Sequence, residues 1–249
     1  MNILAFFAHP DDETMFCGGT LAYLARGGAD VHYLSATRGE GGELGDPPVC
    51  RREELGRVRE QELRCAVEAL GGRGVDFLDY ADPLVGPDNE LFPFTDDLDR
   101  LCKELAERLS ILRPEAVITH GPGGEYGHPA HILAHRGLVG SAASLSEDSP
   151  AVYAVYRERD QDYRPEEGHG ADPDYMLDVT HTREQKIRAV RCHRSQHGLF
   201  LRNASRRAGR RLDLEELVSD REGLVQVQIP GKRGIEDPLY PLLQEITVH

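Results

Sequence analysis

Apolar and polar positions along the first two-thirds of the chain alternate between two periods, one typical of strands and the other of helices. Short apolar runs predict strands at 2–8, 31–37, 75–78, 116–119 and 152–156. Segments with helical spacing lie between them, at 13–26, 51–70, 96–112 and 129–145. Strands that alternate with helices of this length predict βαβ units and a mostly parallel sheet.

The last third of the chain is less regular. Residues 158–174 are polar and loop-like, residues 181–194 predict one more helix, and the Arg-rich stretch 202–211 is typical of a solvated, mobile segment. We therefore expect an α/β, Rossmann-like three-layer fold with a mostly parallel sheet. One domain would span residues 1–200, and a C-terminal extension, residues 201–249, would pack on it.

Composition narrows the function classes. The 249 residues carry 29 Lys and Arg against 43 Asp and Glu, a formal net charge of −14. Such a charge disfavours nucleic acid and anionic membrane surfaces as partners, and no apolar run reaches the length of a membrane-spanning helix. The five cysteines are scattered, and no pair has C-x-x-C spacing, which predicts reduced, buried thiols. With no signal-peptide pattern, these features predict a cytoplasmic protein.

The most informative segment follows the first predicted strand and reads AHPDDE, residues 8–13. It places one imidazole and two carboxylates at the carboxyl end of a strand, where open α/β sheets bind ligands. Such a set suits a divalent metal ion together with a general base. A turn that merely ends the strand and caps the next helix would explain the same residues.

A second group of histidines follows the fourth predicted strand. His128, His131 and His135 are spaced to lie on or near one helical face. With His9 and Asp12 from the first loop, they provide a three-ligand site of two histidines and one aspartate, which leaves a coordination position for water. Solvated helix histidines would give the same spacing, and this alternative remains for His135.

Five segments between residue 4 and about residue 196 carry motifs that occur in one order. They are AHPDDE at 8–13, Thr37-Arg38-Gly39-Glu40 with Gly42, Arg59 with Glu62, YGHPAH at 126–131, and Lys186, Ala189, His193, Ser195 and Gln196. In this order they resemble the motifs of the PIG-L or LmbE-like family, which consists of metal-dependent N-acetylglucosaminyl deacetylases.

The resemblance implies a metal site and a general base. His9, Asp12 and His131 would bind one Zn²⁺ per chain, although the same ligand types suit other divalent metals. Asp11 would be the general base that takes a proton from the metal-bound water. Amide hydrolysis at neutral pH needs the strong nucleophile that zinc provides.

The resemblance also implies groups that act on the substrate. His128 would stabilise the tetrahedral intermediate or protonate the leaving amine, and Tyr126 would polarise the amide carbonyl. Arg59 would help to hold the sugar. Glu40 is a second candidate substrate contact, with a loop-surface position as an equal alternative.

One position departs from the family pattern. The family usually has Asp between the two histidines of the second motif, where this chain has Ala130. Without that acid, His128 would have a lower pKa, or another carboxylate such as Glu125 would take its place. The three metal ligands are unaffected.

We therefore expect a cytoplasmic zinc-dependent hydrolase that removes the N-acetyl group from an N-acetylglucosamine conjugate. N-acetylglucosaminyl malate and inositol are the candidate substrates. The expected partner is this small amino-sugar conjugate, and the resemblance favours a homo-oligomer. Two alternatives stay open: an amidase of a larger thiol-sugar conjugate, and a metal-binding homologue without catalysis.

Overall fold

A computed structural model describes residues 1–145, 149–156, 172–232 and 236–248. Seven strands within these ranges form one sheet: β1 (Asn2–Phe7), β2 (Asp30–Thr37), β3 (Gly74–Tyr80), β4 (Ala116–Thr119), β5 (Ala151–Tyr156), β6 (Tyr175–Asp178) and β7 (Arg221–Gln226). The helices are α1 (Asp12–Arg26), α2 (Leu55–Leu70), α3 (Leu98–Leu112), α4 (Gly124–Gly127), α5 (Pro129–Ser144), α6 (Arg183–Cys192), α7 (His197–Ala208) and α8 (Tyr240–Leu243).

The sheet has the strand order β3-β2-β1-β4-β5-β7-β6. The five strands from β3 to β5 are parallel, and β7 runs antiparallel to both β5 and β6. At the centre, Phe6 of β1 pairs with Leu34 of β2 and with Thr119 of β4. The carboxyl ends of β1 and its two neighbours therefore lie at the same edge of the sheet.

Side chains of β1 explain why helices cover both faces of the sheet. Successive strand residues point to opposite faces. Ile3, Ala5 and Phe7 pack in one apolar cluster with residues of α1, α2 and α6, whereas Leu4 and Phe6 pack in a second cluster with residues of α3 and α5. A strand that is buried on both faces reads as a continuous apolar run. The predicted α/β three-layer fold with a mostly parallel sheet is confirmed.

The C-terminal part of the chain takes part in this sheet. Strand β7 falls within the segment predicted as an extension, 201–249, yet it lies between β5 and β6. The Arg-rich stretch 202–211, which the sequence predicts to be a mobile segment, starts inside helix α7. The division into residues 1–200 and 201–249 stays a prediction, and most of the loop predicted at 158–174 lies outside the described residues.

Two of the five cysteines correct the expectation of reduced thiols. Cys65 of α2 and Cys192 of α6 form a disulfide, with their Cα atoms 5.8 Å apart. Cys17, Cys50 and Cys102 are free. In the described part of the chain, no helix has the length and apolar character needed to cross a membrane.

Candidate active site

The histidines and carboxylates that the sequence singles out meet where β1, β3 and β4 end. A cavity of about 1500 Å³ opens at this edge, larger than the roughly 300–1,000 Å³ of ordinary small-molecule pockets. Its lining includes His9, Asp11, Asp12, Asp82, Tyr126 and His128. This is the edge at which open α/β sheets bind ligands.

Asp12 lies between the two histidines with which it was predicted to bind metal. Its Oδ2 atom is 3.2 Å from His9 Nδ1, and its Oδ1 atom is 3.4 Å from His131 Nε2. All three residues are buried. Burial opposes ionisation of Asp12, but the neighbouring His131 and His120 hold its pKa well below the usual value. The ionised Asp12 therefore contacts one ring nitrogen of each histidine, through a different oxygen in each case.

The potential ligand atoms form two overlapping groups. His9, His128 and His131 each place a ring nitrogen within 4.8 Å of the others, and so do Asp12, His120 and His131 with their own ligand atoms. His131 belongs to both groups. His120, which the sequence leaves without a role, thus lies inside the site.

Glu125 fixes the orientation of His131. Its Oε2 atom is 2.6 Å from His131 Nδ1 and 2.8 Å from His120 Nδ1, while Oε1 accepts the Gly121 N–H. A carboxylate that accepts from Nδ1 leaves Nε2 as the lone-pair atom, the arrangement found behind metal-binding histidines. Nε2 of His131 is buried and has no hydrogen-bond partner in the described residues. Burial lowers the pKa of His131, which favours the neutral ring that metals bind.

Asp82 orients His9 as Glu125 orients His131, through a carboxylate beside one ring nitrogen. Its Oδ1 atom lies 3.2 Å from His9 Nε2, on the side of the ring opposite Asp12. Burial alone would lower the pKa of His9, but the two carboxylates raise it to about 10. Without metal, His9 is therefore a cation, and a metal ion would displace the proton on Nδ1, the nitrogen that faces Asp12. With that proton released, two histidines, a carboxylate and a carboxylate behind each histidine form a donor set that fits Zn²⁺. The sequence prediction missed Asp82, whose only signal is its place two residues after β3.

Asp11, the expected general base, has an unusual backbone. Its φ of 117° lies in the left-handed region that residues other than glycine seldom adopt. Arg59 Nη2 donates to its Oδ2 at 3.0 Å, and the Asp11 N–H donates to Glu13 Oε2 at 3.0 Å. Burial raises the pKa of Asp11 to about 7, against the opposing charge of Arg59. A carboxylate with a pKa near neutrality suits proton transfer at neutral pH.

Arg59 lines the cavity and also makes three hydrogen bonds to the protein. Besides Asp11, it donates to the carbonyl oxygens of Pro10 and Gly39, at 2.6 and 2.8 Å. A Cβ atom on Gly39, which has a φ of +69°, would lie 2.2 Å from Arg59 Nη1. The glycine in the loop after β2 therefore gives Arg59 its space. These contacts hold the side chain of Asp11, whereas Arg59 Nε has no hydrogen-bond partner in the described residues.

Glu40, the other expected substrate contact, supports the Asp82 loop. Its Oε2 atom accepts the Asp82 N–H at 3.2 Å, and its side chain is not part of the cavity lining. A role through Asp82 and His9 therefore fits Glu40 better than direct contact with substrate.

His128 and Tyr126 lie at the cavity wall beside His131. The rings of His128 and His131 are stacked, with centroids 4.4 Å apart, and Tyr126 meets both edge-on. His128 Nδ1 accepts the Ala130 N–H at 3.2 Å, so the neutral ring carries its hydrogen on Nε2. Burial and two nearby histidines lower the pKa of His128 to about 3. The ring is therefore neutral and offers an N–H donor.

The sequence offers two possible consequences of Ala130, a lowered pKa of His128 or a substitute carboxylate such as Glu125. Ala130, near the start of α5, is fully buried in the apolar cluster that α3 and α5 form with the sheet. Glu125 does not take over the missing acid's place at His128, because its carboxylate contacts His131 and His120 instead. The pKa of His128 is lowered, as expected, and the causes are burial followed by the charges of His131 and His9.

Residues of the C-terminal motif contact Thr14 and Glu62, which lie next to the other motifs of the site. His193 Nε2 is 3.2 Å from Thr14 Oγ1, next to Glu13. Ser195 donates from its N–H and its hydroxyl to Glu62, at 2.8 and 2.6 Å. His135, by contrast, is buried and contacts the carbonyl oxygen of His120 at 2.8 Å, outside the two ligand groups.

Comparison with known proteins shows the family to which the chain belongs. The sequence profile of the PIG-L family, described as GlcNAc-PI de-N-acetylase, matches residues 4–142. A 1D-myo-inositol 2-acetamido-2-deoxy-alpha-D-glucopyranoside deacetylase from Mycolicibacterium vanbaalenii is 34% identical over 228 residues, covering 78% of this chain and 80% of the relative. The chain spans about half the length of several other relatives with that name.

Solved structures carry the same fold with more than one chemistry. The N,N'-diacetylchitobiose deacetylase of Pyrococcus horikoshii has a TM-score of 0.64 at 21% identity, over 91% of this chain and 83% of the other. GalB, the 4-carboxy-2-hydroxymuconate hydratase of Pseudomonas putida, has a TM-score of 0.58 at 25% identity, over 94% and 98%. Because the fold alone does not determine the reaction, the reaction has to be inferred from the side chains of the site.

Proposed function

Because this chain belongs to the PIG-L family of de-N-acetylases, we propose that it is a metal-dependent hydrolase that removes the acetyl group from an N-acetylglucosamine conjugate. One observation carries the proposal. Asp12 lies between His9 and His131, and the adjacent Asp11 is held with its carboxylate at the same cavity. A ligand set with a base beside it is what metal-assisted amide hydrolysis requires.

His9, Asp12 and His131 would hold one metal ion per chain, because Asp12 contacts a ring nitrogen of each histidine. Zn²⁺ is the ion that these ligand types favour. When bound, the ion would act as a Lewis acid and lower the pKa of a bound water to about 7. Glu125 and Asp82, which contact the other ring nitrogens of His131 and His9, would hold the two rings in orientation for the ion.

Asp11 is the proposed general base, which accepts a proton from the attacking water. Its raised pKa matches the task, and Arg59 and Glu13 hold it in place. We assign Arg59 to the positioning of Asp11, and Glu40 to the support of Asp82, rather than to substrate binding.

His128 is the proposed stabiliser of the tetrahedral intermediate. A neutral imidazole with its hydrogen on Nε2 donates a hydrogen bond to developing negative charge, whereas it is a poor proton source for a leaving amine. Of the two roles that the family resemblance offers, the first therefore fits this site better. Tyr126 lines the same cavity, and its phenol is the proposed second group that polarises the amide carbonyl.

The proposal for the aglycone is inositol, because the relative from Mycolicibacterium vanbaalenii is a deacetylase of an inositol glucosaminide. Malate is the second candidate. A homo-oligomer and a cytoplasmic location remain proposals. The Cys65–Cys192 disulfide argues against a reducing compartment, so its redox state in cells tests the location.

The deciding experiment measures acetate release from a panel of N-acetylglucosamine conjugates, which includes the inositol and malate compounds. The protein is stripped with a chelator and then reconstituted with zinc. Release that depends on zinc confirms the reaction and identifies the aglycone. The matched variants are His131→Ala, which should lose stoichiometric zinc, and His135→Asn, which should keep it.

Two further compounds, a thiol-sugar conjugate and 4-carboxy-2-hydroxymuconate, are assayed beside the panel to separate the competing functions. Cleavage of a thiol-sugar conjugate without release of acetate would favour the larger-amide hydrolase. Metal-dependent hydration of 4-carboxy-2-hydroxymuconate would favour the reaction of GalB, to which the chain is 25% identical. Stoichiometric zinc with no reaction on any of these compounds would favour a binding protein without catalysis.

A further inference from the structure

Helix α1, which carries Asp12 in its first turn, is interrupted one turn later. Cys17 has φ −146° and ψ 21°, outside helical geometry, and helical conformation resumes after it. The short piece before the break packs on the site, because Phe16 meets the rings of His120 and His131 edge-on at 6.1 and 6.0 Å. The direction of this piece therefore determines where Asp12 lies.

Glu222 of β7 caps the helix where it resumes. Its Oε1 atom accepts the Gly19 N–H at 2.9 Å, and its Oε2 atom accepts the Thr20 N–H at 2.7 Å and the Thr20 hydroxyl at 2.6 Å. Backbone N–H groups at the start of a helix favour such a negative charge. Glu222 thus does from a distant strand what an N-cap residue does locally.

Lys186 of α6 binds the other side of the break. Its Nζ donates to the Met15 carbonyl oxygen at 3.1 Å and to Glu222 Oε1 at 2.6 Å. In a regular helix, the Gly19 N–H donates to the Met15 carbonyl. Here an ion pair contacts both of those groups, so Lys186 and Glu222 form a bridge across the break.

The bridge is buried and closely packed. Lys186 and Glu222 are 2% and 4% exposed. A Cβ atom on Gly19 would lie 2.7 Å from the Val179 side chain and 3.1 Å from Glu222 Oε1, so only glycine lets the carboxylate approach. Both charged residues also line the cavity. A buried pair of this kind is costly to break when one partner is removed.

We propose that Lys186 and Glu222 are positioning residues for the hydrolytic site, which fix the break in α1 and thereby hold Asp12 against His131. The inference rests on the proposed function. Neither side chain needs to touch the substrate. Their effect reaches the reaction through the orientation of the first turn of α1.

The test uses the full chain loaded with Co²⁺, whose visible absorption reports the geometry of its ligands. Lys186→Met and Glu222→Gln should shift the Co²⁺ absorption and weaken metal affinity about 10–100-fold, the range for loss of a group that orients a ligand. With zinc, kcat should fall while KM for the conjugate changes little. Thermal unfolding is measured in parallel, so that readouts are compared on folded protein.

Arg183→Met is the matched control. Arg183 lies on the same helix as Lys186 and pairs with Asp220, close to Glu222 in sequence, at 2.8 Å. Its side chain is more exposed, and this ion pair does not include α1. The control should therefore keep the wild-type Co²⁺ spectrum and metal affinity even where it lowers the unfolding temperature.

The outcomes are distinct. Folded Lys186→Met and Glu222→Gln proteins with the wild-type spectrum and affinity would overturn the inference, as would a wild-type chain that binds no Co²⁺. If the single variants do not fold, the Co²⁺ spectrum and metal affinity are measured on the double variant Lys186→Met/Glu222→Gln, which leaves no unpaired charge. Wild-type values in that folded variant would likewise overturn the inference. A wild-type chain that binds metal but releases no acetate would contradict only the proposed function, because spectrum and affinity need no substrate.

Discussion

Arg59 Nη2 lies 3.0 Å from Asp11 Oδ2 and 2.6 Å from the carbonyl oxygen of Pro10, so one guanidinium holds both the side chain and the backbone of the proposed base. The φ of 117° at Asp11 belongs to a region that costs on the order of 1–3 kcal/mol for a residue with a side chain. Surrounding contacts must offset that cost. Arg59 and Glu13 provide them.

Arg59→Lys should lower kcat about 10²-fold, the scale expected when a catalytic group shifts by about 1 Å. A single ammonium group cannot make the fork of bonds to Asp11, Pro10 and Gly39. KM should change little and zinc content should stay the same. Steady-state kinetics and metal analysis check this, with the exposed Arg57→Lys on the same helix as control. A rise in KM at unchanged kcat would instead assign Arg59 to the substrate.

Asp11→Asn should reduce turnover about 10²–10⁴-fold, because the amide cannot accept a proton from water. Bound zinc should remain, since Asp11 belongs to neither group of potential metal ligands. The comparison is with Asp76→Asn, an exposed position on β3. Turnover at the wild-type rate would remove Asp11 as the base, and loss of zinc would make it a ligand.

Glu125→Gln should weaken zinc affinity roughly 10–100-fold. The carboxylate accepts from His131, His120 and the Gly121 N–H, and an amide has only one oxygen for these three donors. Competition with a coloured chelator measures the affinity. Glu107→Gln, exposed on α3, serves as the matched change. Equal affinities in the two variants would show that Glu125 does not set the orientation of His131.

The central strands and the first site loop were accessible from the sequence. A buried strand such as β1 can be identified from its continuous apolar run, and His9, Asp11 and Asp12 follow that run directly. The spacing of His128 and His131 is likewise local, within about one helical turn. Such signals need no knowledge of which distant segments meet.

Contacts between distant residues were not accessible in this way. Asp82 is one aspartate among many, and its contact with His9 depends on how β3 and β1 are placed in the sheet. Glu222 stands in a strand with several polar residues, Arg221–Gln226, which has no apolar run to reveal it. The family resemblance assigns Arg59 to the substrate, and its hydrogen bond to Asp11 is a contact that only the tertiary structure reveals.

The disulfide between Cys65 and Cys192 also depends on tertiary structure, since 127 residues separate the two cysteines in sequence. It joins α2 to the end of α6, close to the contact between Glu62 and Ser195. A closed loop of this length restricts the unfolded chain, so its loss should lower the free energy of unfolding by about 2–4 kcal/mol.

Cys65→Ser should therefore shift the urea midpoint to lower concentration, and the wild-type protein in reductant should show the same shift. Cys102→Ser, at a free cysteine, is the matched control and should keep the midpoint close to that of the wild type. Thiol titration of unfolded, unreduced protein should find three thiols, because two of the five cysteines are paired. Five thiols, with a midpoint that reductant does not change, would contradict the bond. That result would also remove the argument against a reducing compartment.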